Sequence, residues 1–274
     1  MNKYVGHDSQ AYGIEEHRLV GGKGDGMRLL QVRNGKGLDF TVAVDRCADI
    51  YRLSFKGINM GFFSPAGYVA PAYYEEERFF KTFTAGFLTT CGLTNIGIPC
   101  EDNGEKLPLH GTIGTIPAEQ IWWEEMDGKL IIHAVMRDEM LFSYKLTLYR
   151  DIVCYLDSNR MEIHDKIVNR ADTESPIMFL YHMNMGYPLL SEHAKVYIAS
   201  DEVIPRNERA AEGWATWDKM LEPQEGFTEQ CYFHKFSDKG EAGIFNPDLQ
   251  LGLVIRFDPK QLPYFTQWKM MGVR

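Results

Sequence analysis

A chain of 274 residues, 45% hydrophobic and 13% aromatic, can bury a substantial core, and one domain spanning 1–274 is expected. Its formal net charge of −9 and the lack of any dense Lys/Arg cluster argue against nucleic acid or another polyanion as partner. Five cysteines (Cys47, Cys91, Cys100, Cys154, Cys231) without a CxxC pair support neither a disulfide framework nor a zinc ribbon, and fit reduced thiols.

The first residues, MNKYVGHDSQAYGIEEHRLVGGKG, hold no apolar h-region and no small-residue cleavage site. No window approaches the roughly 18 apolar residues of a membrane span. A soluble, cytoplasmic protein with no membrane partner is expected. From there the chain reads as strand after strand, with β-branched and aromatic runs over 38–44, 85–90, 120–125, 129–136, 141–149 and 160–168. The runs continue over 176–182, 195–199, 251–257 and 264–271, mostly punctuated by Gly, Asn, Asp or Pro. Asn34-Gly35 and Asp127-Gly128 are hairpin signals, because Gly supplies positive φ at little steric cost. In 142–148 the apolar Phe142, Tyr144, Leu146 and Leu148 alternate with Ser143, Lys145 and Thr147, as in a sheet with one buried face. The expected fold is therefore all-β, with antiparallel sheets stacked face to face. One helix is expected, over 72–81 behind Pro71, and 201–226 reads as the longest stretch without periodicity. Long ordered loops often form the rims of binding sites.

Two histidines stand out on this scaffold. His110, in LPLHGTIG, follows a polar, turn-rich stretch and precedes Gly111, which places it where a loop meets a strand and backbone can approach a ligand. His182, in FLYHMNMG, ends an apolar run, and Asn184 two residues on shares its face of an extended strand. Imidazole titrates near neutrality, so two of them on a rigid scaffold suit proton transfer to a neutral ligand. The structural alternatives are a solvated loop residue at 110 and a core histidine bonded to a carbonyl at 182. The other six histidines read as structural. No HxH or HExxH spacing supports a metal, and the absence of GxSxG, GxGxxG and GxxxxGK[ST] removes the usual hydrolase, dinucleotide and nucleotide readings. No cofactor is expected. Five tryptophans and fourteen tyrosines leave aromatic surface suited to holding a sugar ring.

Four stretches resemble the aldose 1-epimerase (galactose mutarotase) superfamily, in an epimerase-like branch whose substrate is not established. They are VAVDRCADIYRLSFKGINMGFFSPAG (42–67), TAGFLTTCGLTNIGIPCEDNGEKLPLHGTIG (84–114), FLYHMNMGYPLL (179–190) and PYFTQWKMMG (263–272). The resemblance implies a large twisted antiparallel β-sandwich that binds a small-molecule sugar in an open cleft. It implies an isomerase that interconverts anomers by acid–base ring opening, with His182 protonating the ring oxygen and His110 binding and polarising the sugar. Arg46, Asp49, Asn95, Asn184, Trp268 and Lys269 are implied as cleft residues that bind hydroxyls or pack on the ring.

In the superfamily the general-base glutamate lies shortly beyond the segment matching QWKMMG, and no glutamate follows Gly272 in this sequence. The readings left open are a chain lacking the family's final strands, a base supplied by another carboxylate, and a non-catalytic sugar-binding or sugar-sensing protein on the same fold. Missing final strands would expose a sheet edge, which favours pairing with another chain, as in a homo-oligomer, or poor stability. Thr112 stands where the branch often carries Arg directly after His-Gly, which implies altered recognition of an anionic or polar substituent.

Overall fold

In the computed structural model, which describes residues 3–273, every pairing between named strands is antiparallel, as the alternating sequence pattern requires. The chain divides into two compact units, 1–184 and 185–274. Among the described residues no helix is long and apolar enough to cross a membrane.

The first unit holds a five-stranded sheet in simple sequence order, Gly13–Arg18, Arg28–Arg33, Leu38–Ala43, Asp49–Phe55 and Ile58–Asn59. A four-stranded sheet runs Met161–Asn169, Lys145–Tyr155, Lys129–Glu139, Gln120–Met126, and a two-stranded ladder pairs Met178–Met183 with Leu88–Leu93. The hairpin signals act as expected. Asp127 and Gly128 both adopt positive φ between strands ending at Met126 and starting at Lys129. The Asn34 side-chain oxygen accepts from the backbone N–H groups of Lys36 and Leu38, closing the earlier turn. Period-two burial is clearest in Lys145–Tyr155, where Leu146, Leu148, Arg150, Ile152 and Cys154 all point inward.

Arg150 is the exception within that apolar row, and it is fully buried. Its Nε and Nη2 donate to the two carboxylate oxygens of Asp165 at 2.9 and 2.8 Å. Nη1 donates to Asp49 Oδ1 at 2.8 Å and to Cys47 O at 3.1 Å, and Nη2 also reaches Thr90 Oγ1 at 2.8 Å. These contacts match the guanidinium's full donor set of about five N–H groups. Thr90 in turn donates from its hydroxyl and backbone N–H to Asp49, and the Tyr181 hydroxyl donates to Asp165. Burial pushes the Asp49 carboxyl up, against the pull of Arg150 and Thr90.

The second unit contains the sheets Lys195–Ile198, Gly240–Asn246, Leu251–Phe257 and Glu202–Pro205, Gln230–Lys235, Phe265–Lys269. The stretch over 201–226 therefore carries a strand, and also a short helix, Glu208–Glu212, capped by the Asn207 side chain accepting from Ala210 N–H. Five residues are too few to show a helical period, so the cap was the readable signal. The helix expected over 72–81 is instead two 3₁₀ segments, Pro71–Tyr73 and Glu76–Lys81, the second broken at Arg78 with φ −128° and ψ 37°. Aromatic residues lie on all sides of this segment and leave no single apolar stripe, and Phe79 is drawn into stacking on Phe83 at 4.8 Å. In the run over 141–149 the strand starts at Lys145, because Leu141 and Phe142 are exposed in the turn before it.

Replacing Arg150 with Met should leave Asp49 and Asp165 buried without their cation and cost about 3–5 kcal/mol of unfolding free energy. Arg150→Lys should recover a minor part, since an ammonium cannot reproduce the forked donor set. Urea unfolding followed by tryptophan fluorescence checks both.

Candidate functional site

His110 sits in a loop that folds back on the end of Leu88–Leu93. Its backbone N–H donates to Gly97 O at 3.0 Å and its carbonyl accepts from Gly92 N–H at 3.0 Å, which holds the residue at φ 61°. Gly111, at φ 69°, lies so close to Gly92 that an added Cβ would stand 2.1 Å from the Gly92 carbonyl oxygen. A side chain there would force the loop away. Asn95 is buried beneath the loop, donating to Ile98 O at 3.1 Å and Pro108 O at 2.8 Å and accepting from Gly97 N–H. It braces the segment that carries the imidazole.

The His110 Nδ1 lies 2.8 Å from Ile96 O. A carbonyl can only accept, so Nδ1 carries the proton and a neutral ring keeps its lone pair on Nε2. Burial lowers the imidazole's proton affinity, against the pull of the Ile96 bond.

His182 lies on Met178–Met183, opposite Thr89. Its neighbour Tyr181 is turned inward to Asp165, so alternation turns the His182 ring to the other face of the strand. Burial and the adjacent His110 lower its pKa to about 4, with the Asn184 side chain favouring the charged form in opposition. Asn184 is itself buried and donates to Gly86 O and His182 O, which fixes the end of the strand.

The two imidazoles meet edge to face, with ring centroids 5.3 Å apart and planes at 78°. Phe79 stands edge-on to His110 at 5.4 Å and Phe83 edge-on to His182 at 5.7 Å. Both histidines are half-buried. The arrangement is a pair of neutral, partly accessible imidazoles with aromatic walls, able to accept and to donate a proton within one small volume.

Asp49 belongs to the Arg150 network and is 1% exposed, so its carboxylate is committed to Arg150 and Thr90. Arg46 is buried too, with Nη2 on Thr82 O at 3.2 Å and Nη1 on Val69 O at 3.5 Å. Trp268 and Lys269 lie in the second unit. The Trp268 Nε1 donates to Glu229 at 2.6 Å, and the buried Lys269 Nζ donates to Thr216 O at 2.8 Å. Thr112 donates from its hydroxyl to the buried Asp138 at 3.0 Å. Sequence reasoning missed Phe79 and Phe83 as walls of the site, and Arg150 and Thr90 beneath it. The doublet Phe79-Phe80 among charged residues was the available signal, since apolar side chains in such a segment need a tertiary surface to cover.

Of the remaining histidines, His133 bonds Asp151 and stacks on Trp122, His164 bonds Glu162, His193 bonds Asp248, and His234 lies buried against Ser200. Among the described residues no group of three or more His, Cys, Asp or Glu side chains is arranged to hold a metal ion.

Residues 24–274 match the family described as a domain of unknown function (DUF4432). The chain belongs to that family. No curated protein matches it in sequence. Among solved structures it is similar to a Klebsiella pneumoniae protein described as a "putative aldose 1-epimerase", with 26% identity and a TM-score of 0.88 over 97% of this chain and 74% of that one. It is also similar to the Slr1438 protein of Synechocystis, with 14% identity and a TM-score of 0.60 over 89% and 81% of the two chains. Galactose 1-epimerase from Lactobacillus acidophilus aligns at 14% identity and a TM-score of 0.55 over 85% and 79%. The fold is the all-β, antiparallel sandwich of the aldose 1-epimerases.

The lowered pKa of His182 has a consequence for stability. Between its ordinary value near 6.5 and its folded value of about 4, the unfolded chain binds the proton more readily than the folded one. Stability from this group is thus complete above about pH 6.5 and is lost as pH falls towards 4. The buried His234, also lowered to about 4 by burial, acts in the same direction. Thermal midpoints should fall between pH 7 and pH 4.5, and His182→Asn should flatten that fall.

Proposed function

We propose that this protein is a sugar isomerase of the aldose 1-epimerase type, which interconverts the anomers of an aldose or modified sugar. The observation that carries the proposal is the edge-to-face contact of His110 and His182, brought from distant parts of the chain into one aromatic-walled site. The similarity to a protein described as a "putative aldose 1-epimerase", and in fold to a galactose 1-epimerase, supports it.

The chemistry requires one group to take the proton of the anomeric hydroxyl and another to protonate the ring oxygen. In this reading His110 Nε2, left with its lone pair by the Nδ1 bond to Ile96, accepts the hydroxyl proton. The O–H electrons form the C1 carbonyl, the bond from C1 to the ring oxygen breaks, and the ring oxygen takes a proton from His182. Rotation about the C1–C2 bond and reversal of the steps return both protons and the other anomer. No bond is made or lost overall. The low proton affinity of His182 makes its charged form scarce but strongly acidic. Phe79 and Phe83 offer apolar faces for the sugar's C–H surfaces, and Asn184 orients His182.

Proton NMR of a freshly dissolved anomer tests the proposal. Equilibration of at least one aldose should be faster with protein than in buffer, and His182→Asn should lower kcat/KM by about 10²–10⁴-fold. Sugar binding without accelerated equilibration would instead mark a carbohydrate-binding protein. With acid and base both depressed, kcat/KM is expected to be bell-shaped with its maximum below about pH 6.5, where a charged His182 and a neutral His110 coexist most often. A profile rising steadily through pH 8 would exclude these roles.

A further inference from the structure

Among the described residues no ion pair engages the charge of Arg46. The residue is 5% exposed, and its guanidinium bonds to the carbonyls of Thr82 and Val69, with the Tyr51 hydroxyl also within hydrogen-bonding reach. All three partners are neutral. Among the described residues Arg46 forms no ion pair, and the carboxylates of Asp49 and Asp165 are held by Arg150. Its Nε has no hydrogen-bond partner. Neither does the buried hydroxyl of Tyr74, which lies close enough to feel the Arg46 charge.

Two orphaned donors, one of them on a buried cation, are a costly combination in a folded protein. An anionic group that reached both atoms would satisfy them, because charge-assisted hydrogen bonds to guanidinium are among the strongest available. Their location connects them to the histidines. Thr82, whose carbonyl receives Arg46, is bonded through its own N–H and hydroxyl to Phe79 O. It lies between the two phenylalanines that meet His110 and His182.

We infer that the sugar bears a singly charged carboxylate-like substituent, received by Arg46 Nε and the Tyr74 hydroxyl while its ring lies against Phe79, Phe83 and the imidazoles. This rests on the isomerase reading for the reaction, but not for the binding. A single guanidinium with a phenol suits one negative charge. A phosphate dianion would call for further cations, and it would meet a stronger repulsion from Glu76, whose charge also acts on Tyr74.

The test compares D-glucuronate and D-galacturonate with D-glucose, D-galactose and glucose 6-phosphate near pH 7, using magnetisation-transfer NMR for anomer exchange and calorimetry for binding. The uronates should exceed their parent hexoses by at least about tenfold in kcat/KM or affinity. Tyr74→Phe, which removes one hydroxyl from a half-buried side chain, should shrink that ratio several-fold. Arg46→Lys should shrink it further, with circular dichroism confirming that the variant folds. Equal handling of uronates and hexoses would overturn the inference and leave the isomerase reading standing. Preference for glucose 6-phosphate over the uronates would overturn the single-charge assignment. Uronate binding that depends on Arg46 without any anomer exchange would support the inference and sink the isomerase reading. No binding and no exchange would end both.

Discussion

The first unit depends on one buried guanidinium. Arg150 bonds to residues from several separate strands and loops, and every one of its donors has an acceptor. A charge in a low-dielectric interior is stable only when so completely engaged, which makes the network intolerant of displacement. Thr90 and Tyr181 belong to it and lie directly opposite each other in the ladder of Leu88–Leu93 and Met178–Met183. Pinning these two residues inward sets the face on which their neighbours emerge. A slip of one residue would send the His182 ring into the interior and Tyr181 out.

The second constraint is the close approach of Gly92 to Gly111. There the loop and the ladder are near enough that backbone bonds to Gly92 come from both neighbours of Gly111, His110 and Thr112. The ladder therefore presents His182 directly and His110 through Gly92. Both imidazoles are referred to the same two strands, and the distance between them inherits the rigidity of a hydrogen-bonded ladder rather than of a loop. The proposed transfer of two protons would draw on this kind of preorganisation.

Electrostatically the site is quiet. Both imidazoles are held towards their neutral forms by burial, and the buried carboxylates of Asp49 and Asp165 are held by Arg150. Such an environment suits a reaction that rearranges protons on a hydroxylated ring.

The antiparallel β architecture was legible because alternation, Asp127-Gly128 and Asn34-Gly35 are local signals that operate over a few residues. The two histidines were legible as candidates because their short contexts are unusual for imidazole in a β-rich chain. Asn95 was read as a ligand-binding side chain, whereas its bonds go to the backbone that shapes the His110 loop. The 72–81 segment could not be read correctly, since its conformation is decided by the packing of Phe79 against Phe83 and His110. What the amino-acid order alone determined is periodicity, turn chemistry and the inventory of titratable groups, all set by neighbours along the chain. The meeting of His110 with His182, the complete engagement of Arg150 and the burial of Arg46 were decided by tertiary structure. Each depends on contacts between residues far apart in the chain, and spacing carries no record of which distant groups the strands will bring together.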